Sequence, residues 1–178
     1  MRYRKLFYAC LASVTLLSGC ASSSPPRDLD DPTNSLYFGH IDMSDAPGGV
    51  NAADVEQIAP PTKFPYWKPG LRKGLFCLAI LPPGSYQVTD FSGGDMVYDF
   101  PRQGNPTSVR IRKPGIYFVG SYKYVPVKTG FFEGAKFAIK RVNKPTEAEL
   151  LRRILEYPDI QKSAWKKKIE ARLAHLRQ

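Results

Sequence analysis

The fold is decided by the stretch Leu75-Phe76-Cys77-Leu78-Ala79-Ile80-Leu81-Pro82-Pro83-Gly84-Ser85-Tyr86-Gln87-Val88. Its first half, 75–81, is continuously apolar and has the length of a fully buried strand. Pro82, Pro83 and Gly84 then supply a turn, and the apolar pattern resumes over 86–91. The stretch therefore predicts two successive β-strands joined by a tight turn.

Further short strands are predicted on both sides of this pair. Residues 35–43 alternate weakly, and 51–58 is ambiguous between a short strand and a helical turn. The later strands are predicted at 96–100, 108–112, 116–125 and 136–140. Gly and Pro turns separate these elements, and about seven short strands at regular spacing are typical of an antiparallel β-sandwich.

One turn sequence occurs twice in the chain. Pro-Gly-x-Tyr-x-Val stands at 83–88 and again at 114–119. With the preceding Leu81 and Pro82, the first copy resembles the Leu-Pro-Pro-Gly-x-Tyr turn of prealbumin-like and carboxypeptidase-regulatory-like β-sandwich domains. The resemblance covers about 75–142 and implies a structural or binding module, since such domains usually have that role.

The C-terminal part changes to a helical pattern. Thr146 and Glu149 form a capping box, and Pro158 ends the helix that follows it. A second helix is predicted after Asp159, with apolar residues at steps of four, four and three: Trp165, Ile169, Leu173 and Leu176. The sequence therefore predicts a sandwich domain over 35–144 and two C-terminal helices over 145–178, docked on the sandwich or on a partner.

The N-terminus has the pattern of an export signal. Basic Arg2, Arg4 and Lys5 precede a run of about a dozen mostly apolar residues, which is shorter than the roughly 20 that cross a membrane. The run ends in Leu17-Ser18-Gly19-Cys20, which resembles the lipobox of bacterial lipoproteins. This resemblance implies that 1–19 is removed as a signal peptide and that Cys20 carries the acyl chains. The alternative is an uncleaved anchor helix with an incidental cysteine.

The residues after Cys20 predict a tether and a location. Residues 20–34 contain almost no apolar side chain and are predicted to be a disordered, lipidated tether. In the lipoprotein family an Asp after the cysteine favours the inner membrane. Ala21 therefore implies an outer-membrane lipoprotein that faces the periplasm, with the lipid bilayer bound through acylated Cys20.

Charge is distributed unevenly along the chain. Residues 21–109 carry 6 basic and 10 acidic side chains, whereas 110–144 carry 9 basic and 1 acidic. Such a basic segment is suited to anionic headgroups, an acidic envelope protein or an anionic glycan. The predicted compartment argues against nucleic acid. The plainer interpretation is that alternation places these cations on a solvated strand face.

Clusters that perform chemistry are scarce in the sequence. The two histidines are His40 and His175, and no short metal-ligand spacing, nucleophile elbow or phosphate loop occurs. We therefore predict no catalytic residue, no cofactor and no metal site. Three weaker candidates were weighed: lone Cys77, a calcium site at 93–95 with Asp90 and Asp99, and a site assembled around His40 and Asp42.

These patterns together predict a lipid-anchored, non-enzymatic binding or scaffold protein of the cell envelope. Its contacts are expected at the tyrosine-rich basic strands, at an aromatic loop with Phe64, Tyr66 and Trp67, and at the C-terminal helix. The alternative is a protein that engages the envelope surface through its basic face, with Trp165 and the lysines of 166–168 lying on anionic lipid. An uncharacterised enzyme is the third possibility.

Overall fold

The computed structural model describes residues 28–63, 65–127 and 136–177. The strands in these residues are β1 (Ser35–Asp42), β2 (Ala52–Ala59), β3 (Tyr66–Trp67), β4 (Leu75–Leu81), β5 (Gly84–Gly93), β6 (Met96–Asp99), β7 (Val109–Ile111), β8 (Ile116–Val127) and β9 (Lys136–Val142). The helices are α1 (Glu147–Leu155), α2 (Pro158–Lys162) and α3 (Trp165–His175). The chain is thus mainly β with C-terminal helices, as the sequence predicts.

The strands form two sheets. The four-stranded sheet has the order β4-β1-β8-β9, and the five-stranded sheet has the order β3-β2-β5-β6 with β7 also paired to β5. All pairs are antiparallel except β1 and β8, which are parallel. Two expectations therefore need correction: the described chain has nine strands rather than about seven, and one pair is not antiparallel. Alternating side chains look the same in both orientations, so the sequence pattern could not distinguish them.

A common apolar core lies between the two sheets. The four-stranded sheet contributes Tyr37 and Phe76, and the five-stranded sheet contributes Val55 and Val88. The ambiguous segment 51–58 is a strand because its alternate residues enter this core. Burial of these side chains from both sheets joins the two layers into one folded body.

A second core lies on the outer face of the four-stranded sheet. The strands contribute Leu36, Phe38, Leu75 and Ala79, and the helices contribute Leu150, Leu151, Ile154, Ile160, Trp165 and Ile169. Strand β1 is therefore buried on both faces. The continuous apolar run of β4 has the same cause, since its alternate side chains enter the two different cores.

The C-terminal part has three helices where two are predicted. Helix α1 begins with the predicted capping box between Thr146 and Glu149. Pro158 begins a short helix rather than only ending one, because its fixed φ and missing N–H suit the first turn. Extended backbone at Ser163 then ends α2, and α3 begins at Trp165.

Residues 28–34 are part of the folded body, which corrects the prediction of a disordered tether as far as Asn34. The indole Nε1 of Trp165 donates to the carbonyl oxygens of Leu29 and Ala79, each 3.1 Å away. The backbone N–H of Ala164 donates to Asp30 Oδ1 at 2.7 Å. The predicted signal peptide, Cys20 and the tether before Asp28 lie outside the described residues, as does Phe64.

Candidate functional site

The helices cover only part of the outer face of the four-stranded sheet. The C-terminal end of β1 projects beyond them and carries His40 and Asp42. Asp42 lies beside Lys123 of β8 in the strand register, and Lys123 lies opposite Lys140 of β9. Three strands thus place a row of charged residues on the part of the sheet that the helices leave open.

Two neighbouring cavities share His40 and Asp42. The first has a volume of about 610 Å³, and its other lining residues include Ser44, Lys73 and Gly74. The second, of about 560 Å³, lies between the sheet and the start of α1. We call it the His40 groove, and it is lined by His40, Asp42, Lys123, Val142, Asn143, Lys144, Pro145 and Glu149. Both volumes are in the range of small-ligand sites.

His40 joins three elements at the base of the site. Its Nε2 lies 3.2 Å from the carbonyl oxygen of Lys73, and the Arg153 guanidinium of α1 donates to the carbonyls of Arg72 and Lys73. Its Nδ1 is buried and has no hydrogen-bond partner among the described residues. Burial, and then the positive charge of Arg153, lower the pKa of His40. The imidazole is therefore neutral near pH 7, and the Lys73 carbonyl requires its Nε2 to carry the proton.

The turn that His40 contacts was missed in the sequence analysis. Arg72 and Leu75 exchange backbone hydrogen bonds, and both residues between them have positive φ: 50° at Lys73 and 77° at Gly74. This is the backbone of a two-residue type I′ hairpin turn. The available signal was a Lys-Gly pair immediately before the apolar strand, although Lys is an unusual residue at positive φ.

The acidic residues of the site already have local partners. Asp42 accepts from the Ser44 N–H at 3.0 Å, and this interaction is the main reason its pKa is lowered. Lys123 Nζ lies 2.9 Å from Asp45, and Lys144 Nζ lies 3.6 Å from Glu149. The groove therefore has cations and anions along its walls, all within reach of solvent.

The geometry favours binding over proton transfer. His40 has its Nε2 occupied by a backbone carbonyl and its Nδ1 enclosed, and Asp42 is bonded to Ser44. A general base must reach the proton that it removes, and neither ring nitrogen of His40 is placed to do so. What the groove offers a ligand is lysine ammonium groups, an amide at Asn143 and the apolar surface of Val142 and Pro145.

The other sequence candidates lie elsewhere. Cys77 is a free cysteine of β4 beside the helix-side core, and burial raises the pKa of its thiol to about 12. The thiol is therefore protonated and unreactive near neutral pH. Gly94 and Asp95 form the turn between β5 and β6. In the part of the chain that the structure describes, no group of three His, Cys, Asp or Glu residues is arranged to hold a metal ion.

Asp90 has the most perturbed carboxyl on the five-stranded sheet. It lies opposite Asp54 of β2 and Asp99 of β6 in the strand register, and Lys68 Nζ is 3.1 Å from Asp54. Burial first, and then the neighbouring Asp54, raise the pKa of Asp90 to about 6. The row is a set of cross-strand acids rather than a cation site.

The predicted aromatic contacts are mostly internal. Tyr122 and Tyr124 of the basic strand are buried in the core between the sheets. Trp67 packs edge-on against Tyr86, and the exposed Tyr66 donates to Glu56 at 3.2 Å. Trp165, with 1% of its surface exposed, is occupied by the sheet. Of these aromatic residues, only Tyr66 presents a largely exposed side chain.

The basic segment does contribute to the site, through residues that were not singled out individually. Lys123 and Lys144 line the groove together with Asn143, whereas Arg112 and Lys113 are exposed on the turn before β8. Glu149 was identified from the sequence, but only for its role in helix capping. The parallel pairing of β1 and β8 brings Asp42 to Lys123, and no local sequence pattern indicates that contact.

No protein-family model, no curated protein and no solved structure matches this chain. Among the described residues, no helix is long and apolar enough to cross a membrane. A functional assignment therefore has to be argued from the groove and from the N-terminal sequence.

Proposed function

We propose that this chain is a lipid-anchored, non-enzymatic binding protein of the cell envelope that holds its ligand in the His40 groove. The observation that carries the binding role is the groove itself, a cavity of about 560 Å³ on the open part of an otherwise covered sheet. The anchor rests on the lipobox, with acylated Cys20 in the outer membrane and the folded body in the periplasm. The partner is an envelope component rather than nucleic acid.

The proposed domain type is a prealbumin-like β-sandwich followed by helices. Two sheets around a common core and the turn between β4 and β5 support this proposal. Tyr86 begins the outgoing part of that turn, and its hydroxyl donates to the Pro82 carbonyl at 2.8 Å. Domains of this type usually serve as structural or binding modules, which agrees with the proposed role.

The path of β1 explains how an anchored protein would present the groove. Ser35 follows the N-terminal residues that contact α3, whereas His40 and Asp42 lie at the other end of the strand. Seven residue steps at a rise of about 3.3 Å separate these ends by roughly 23 Å. A tether that enters at residue 28 would therefore hold the groove away from its own point of attachment.

The anchor is tested by labelling cells with radioactive palmitate. The expected result is a labelled protein whose mature N-terminus is Cys20 by mass spectrometry. A Cys20→Ala variant should be unlabelled and should appear in the soluble fraction, whereas Cys77→Ala should be labelled like the wild type. Label in the Cys20→Ala variant, or an uncleaved N-terminus in the wild type, would refute lipidation at this residue.

Direct contact with anionic lipid is the second candidate. Lys167 and Lys168 are exposed at the start of α3, next to the point where the N-terminal residues join the helices. Because Trp165 is buried, this contact would use the lysines and not the apolar stripe. We expect flotation with vesicles that contain phosphatidylglycerol to exceed flotation with neutral vesicles. Equal flotation would exclude this candidate.

A further inference from the structure

We propose that the His40 groove binds a small molecule that carries a carboxylate on a compact apolar body. This inference rests on the proposed binding function and names the chemical class of its ligand. The groove and the adjoining cavity bring together Lys73, Lys123 and Lys144, with Lys140 opposite Lys123 in the sheet. The acidic groups around the same residues are Asp42, Asp45 and Glu149.

The existing ion pairs can be exchanged for a ligand carboxylate. The paired side chains are well exposed, at 43% and 52% for Lys123 with Asp45 and at 80% and 40% for Lys144 with Glu149. Exposed pairs of this kind contribute about 0–1 kcal/mol, so replacing one carboxylate by another costs little. A ligand that meets both lysines at once would gain more than either pair provides alone.

Displacement from Lys144 leaves Glu149 with its structural role. Its carboxylate also accepts from the Thr146 N–H at 2.6 Å, and the Thr146 hydroxyl lies 3.0 Å away. The capping box therefore persists when the lysine turns to a ligand. The side-chain amide of Asn143, which also lines the groove, supplies a neutral donor beside Lys144.

The rest of the lining favours an apolar body and a single negative charge. Val142, Pro145 and the aliphatic stems of the two lysines provide the apolar surface. Asp42 and Glu149 stand in the same lining, so a doubly charged phosphate would meet like charges that a monocarboxylate meets less strongly. A volume of about 560 Å³ accommodates a ligand of this kind.

The test is an amide NMR titration of the full-length protein with hexanoate, using hexanol as a neutral probe of the same length. Hexanoate should shift the signals of Lys123, Asn143 and Lys144 along one saturating curve, with a Kd that is roughly millimolar for so small a probe. Hexanol should require at least ten times the concentration. Inorganic phosphate should bind more weakly than hexanoate.

The matched variants separate the groove from general surface charge. Lys123→Met with Lys144→Met keeps the apolar stems and removes both charges, and it should weaken hexanoate binding at least tenfold. Arg112→Met with Lys113→Met removes two exposed cations from the turn before β8 and should leave the affinity unchanged.

Three results would overturn the inference: no saturable shift with hexanoate, equal midpoints for hexanoate and hexanol, or unchanged affinity in the Lys123→Met, Lys144→Met variant. Equal midpoints would remove the carboxylate while retaining a groove that binds. The palmitate experiment reports on the anchor separately, so failure of lipidation and failure of ligand recognition are distinguishable.

Discussion

At Gly74 the backbone has a φ of +77°, and a methyl group there would meet the carbonyl oxygen of Ile41 and lie 2.6 Å from His40 Nε2. We expect Gly74→Ala to destabilise the protein by about 3 kcal/mol, since strain at positive φ adds to the overlap. Gly104→Ala is the control, because Gly104 has a φ of +69° but nothing near the added methyl. Its cost should be about 1 kcal/mol. Equal losses in urea unfolding would contradict close packing at Gly74.

The stability of the fold should depend on pH through His40. Burial and Arg153 lower the pKa of His40, so the unfolded chain takes up a proton first as the pH falls through about 6.5. The contribution of neutral His40 is therefore present at pH 7 and is lost towards pH 5. His40→Gln keeps an amide donor for the Lys73 carbonyl and should remove this part of the slope in urea unfolding measured from pH 7 to pH 5.

The control for His40 is the exposed His175→Gln at the end of α3, which should retain the wild-type slope. A His40→Gln variant with the wild-type slope would show that His40 does not titrate between the folded and unfolded states as proposed. Measurements above pH 5 keep most carboxyl groups outside the titration range.

Asp90 should act in the opposite direction. Its pKa is raised to about 6 by burial and by Asp54, so the folded state retains a proton that the unfolded state releases, and stability rises as the pH falls from 7 towards 4. Asp90→Asn resembles the protonated form. We expect it to stabilise the protein at pH 7 by about 1 kcal/mol, a value reduced for partial exposure.

The gain from Asp90→Asn should shrink as the pH approaches 4, and thermal unfolding at both pH values measures it. Asp99→Asn is the control, because Asp99 lies opposite Asp90 in the register but is exposed. A gain of the same size at both pH values would mean that relief of charge is not its cause.

At the scale of elements, Trp165 connects α3 to the sheet and to the N-terminal residues. Trp165→Phe removes the donor to the Leu29 and Ala79 carbonyls, and we expect a loss of about 2 kcal/mol. Hydrogen exchange over 28–34 should become faster. Thr146→Ala removes the cap of α1 at a cost of about 1 kcal/mol and should leave exchange over 28–34 unchanged. Unaltered exchange in Trp165→Phe would show that the indole does not hold these residues.

The local patterns predicted elements well where they were strong. The apolar run of β4 and the capping box of α1 are found as predicted. Strand β3, with two residues, and the turn at Lys73 and Gly74 were not predicted. Short elements like these are held by pairing with distant strands and by contacts such as that of His40, so their own residues carry little signal.

At the scale of the molecule, the helices and sheets should unfold together. A chain that ends at Pro145 lacks the helices and exposes Leu36, Phe38 and Leu75, each worth about 2 kcal/mol of burial. We expect circular dichroism of this shortened chain to show no cooperative unfolding. Removal of only the last two residues should preserve the transition. A cooperative transition in the chain that ends at Pro145 would show that the sheets fold independently.

The sequence by itself determined the mainly β class, the C-terminal helices and the apolar residues of both cores, because strand and helix periodicities are local. It also provides the lipobox on which the proposed anchor at Cys20 depends. Only the tertiary structure decided that β1 and β8 run parallel, that Trp165 faces the sheet, and that His40, Lys123 and Lys144 share a groove. Those contacts join residues far apart in the chain, and their geometry depends on how the sheets and helices pack.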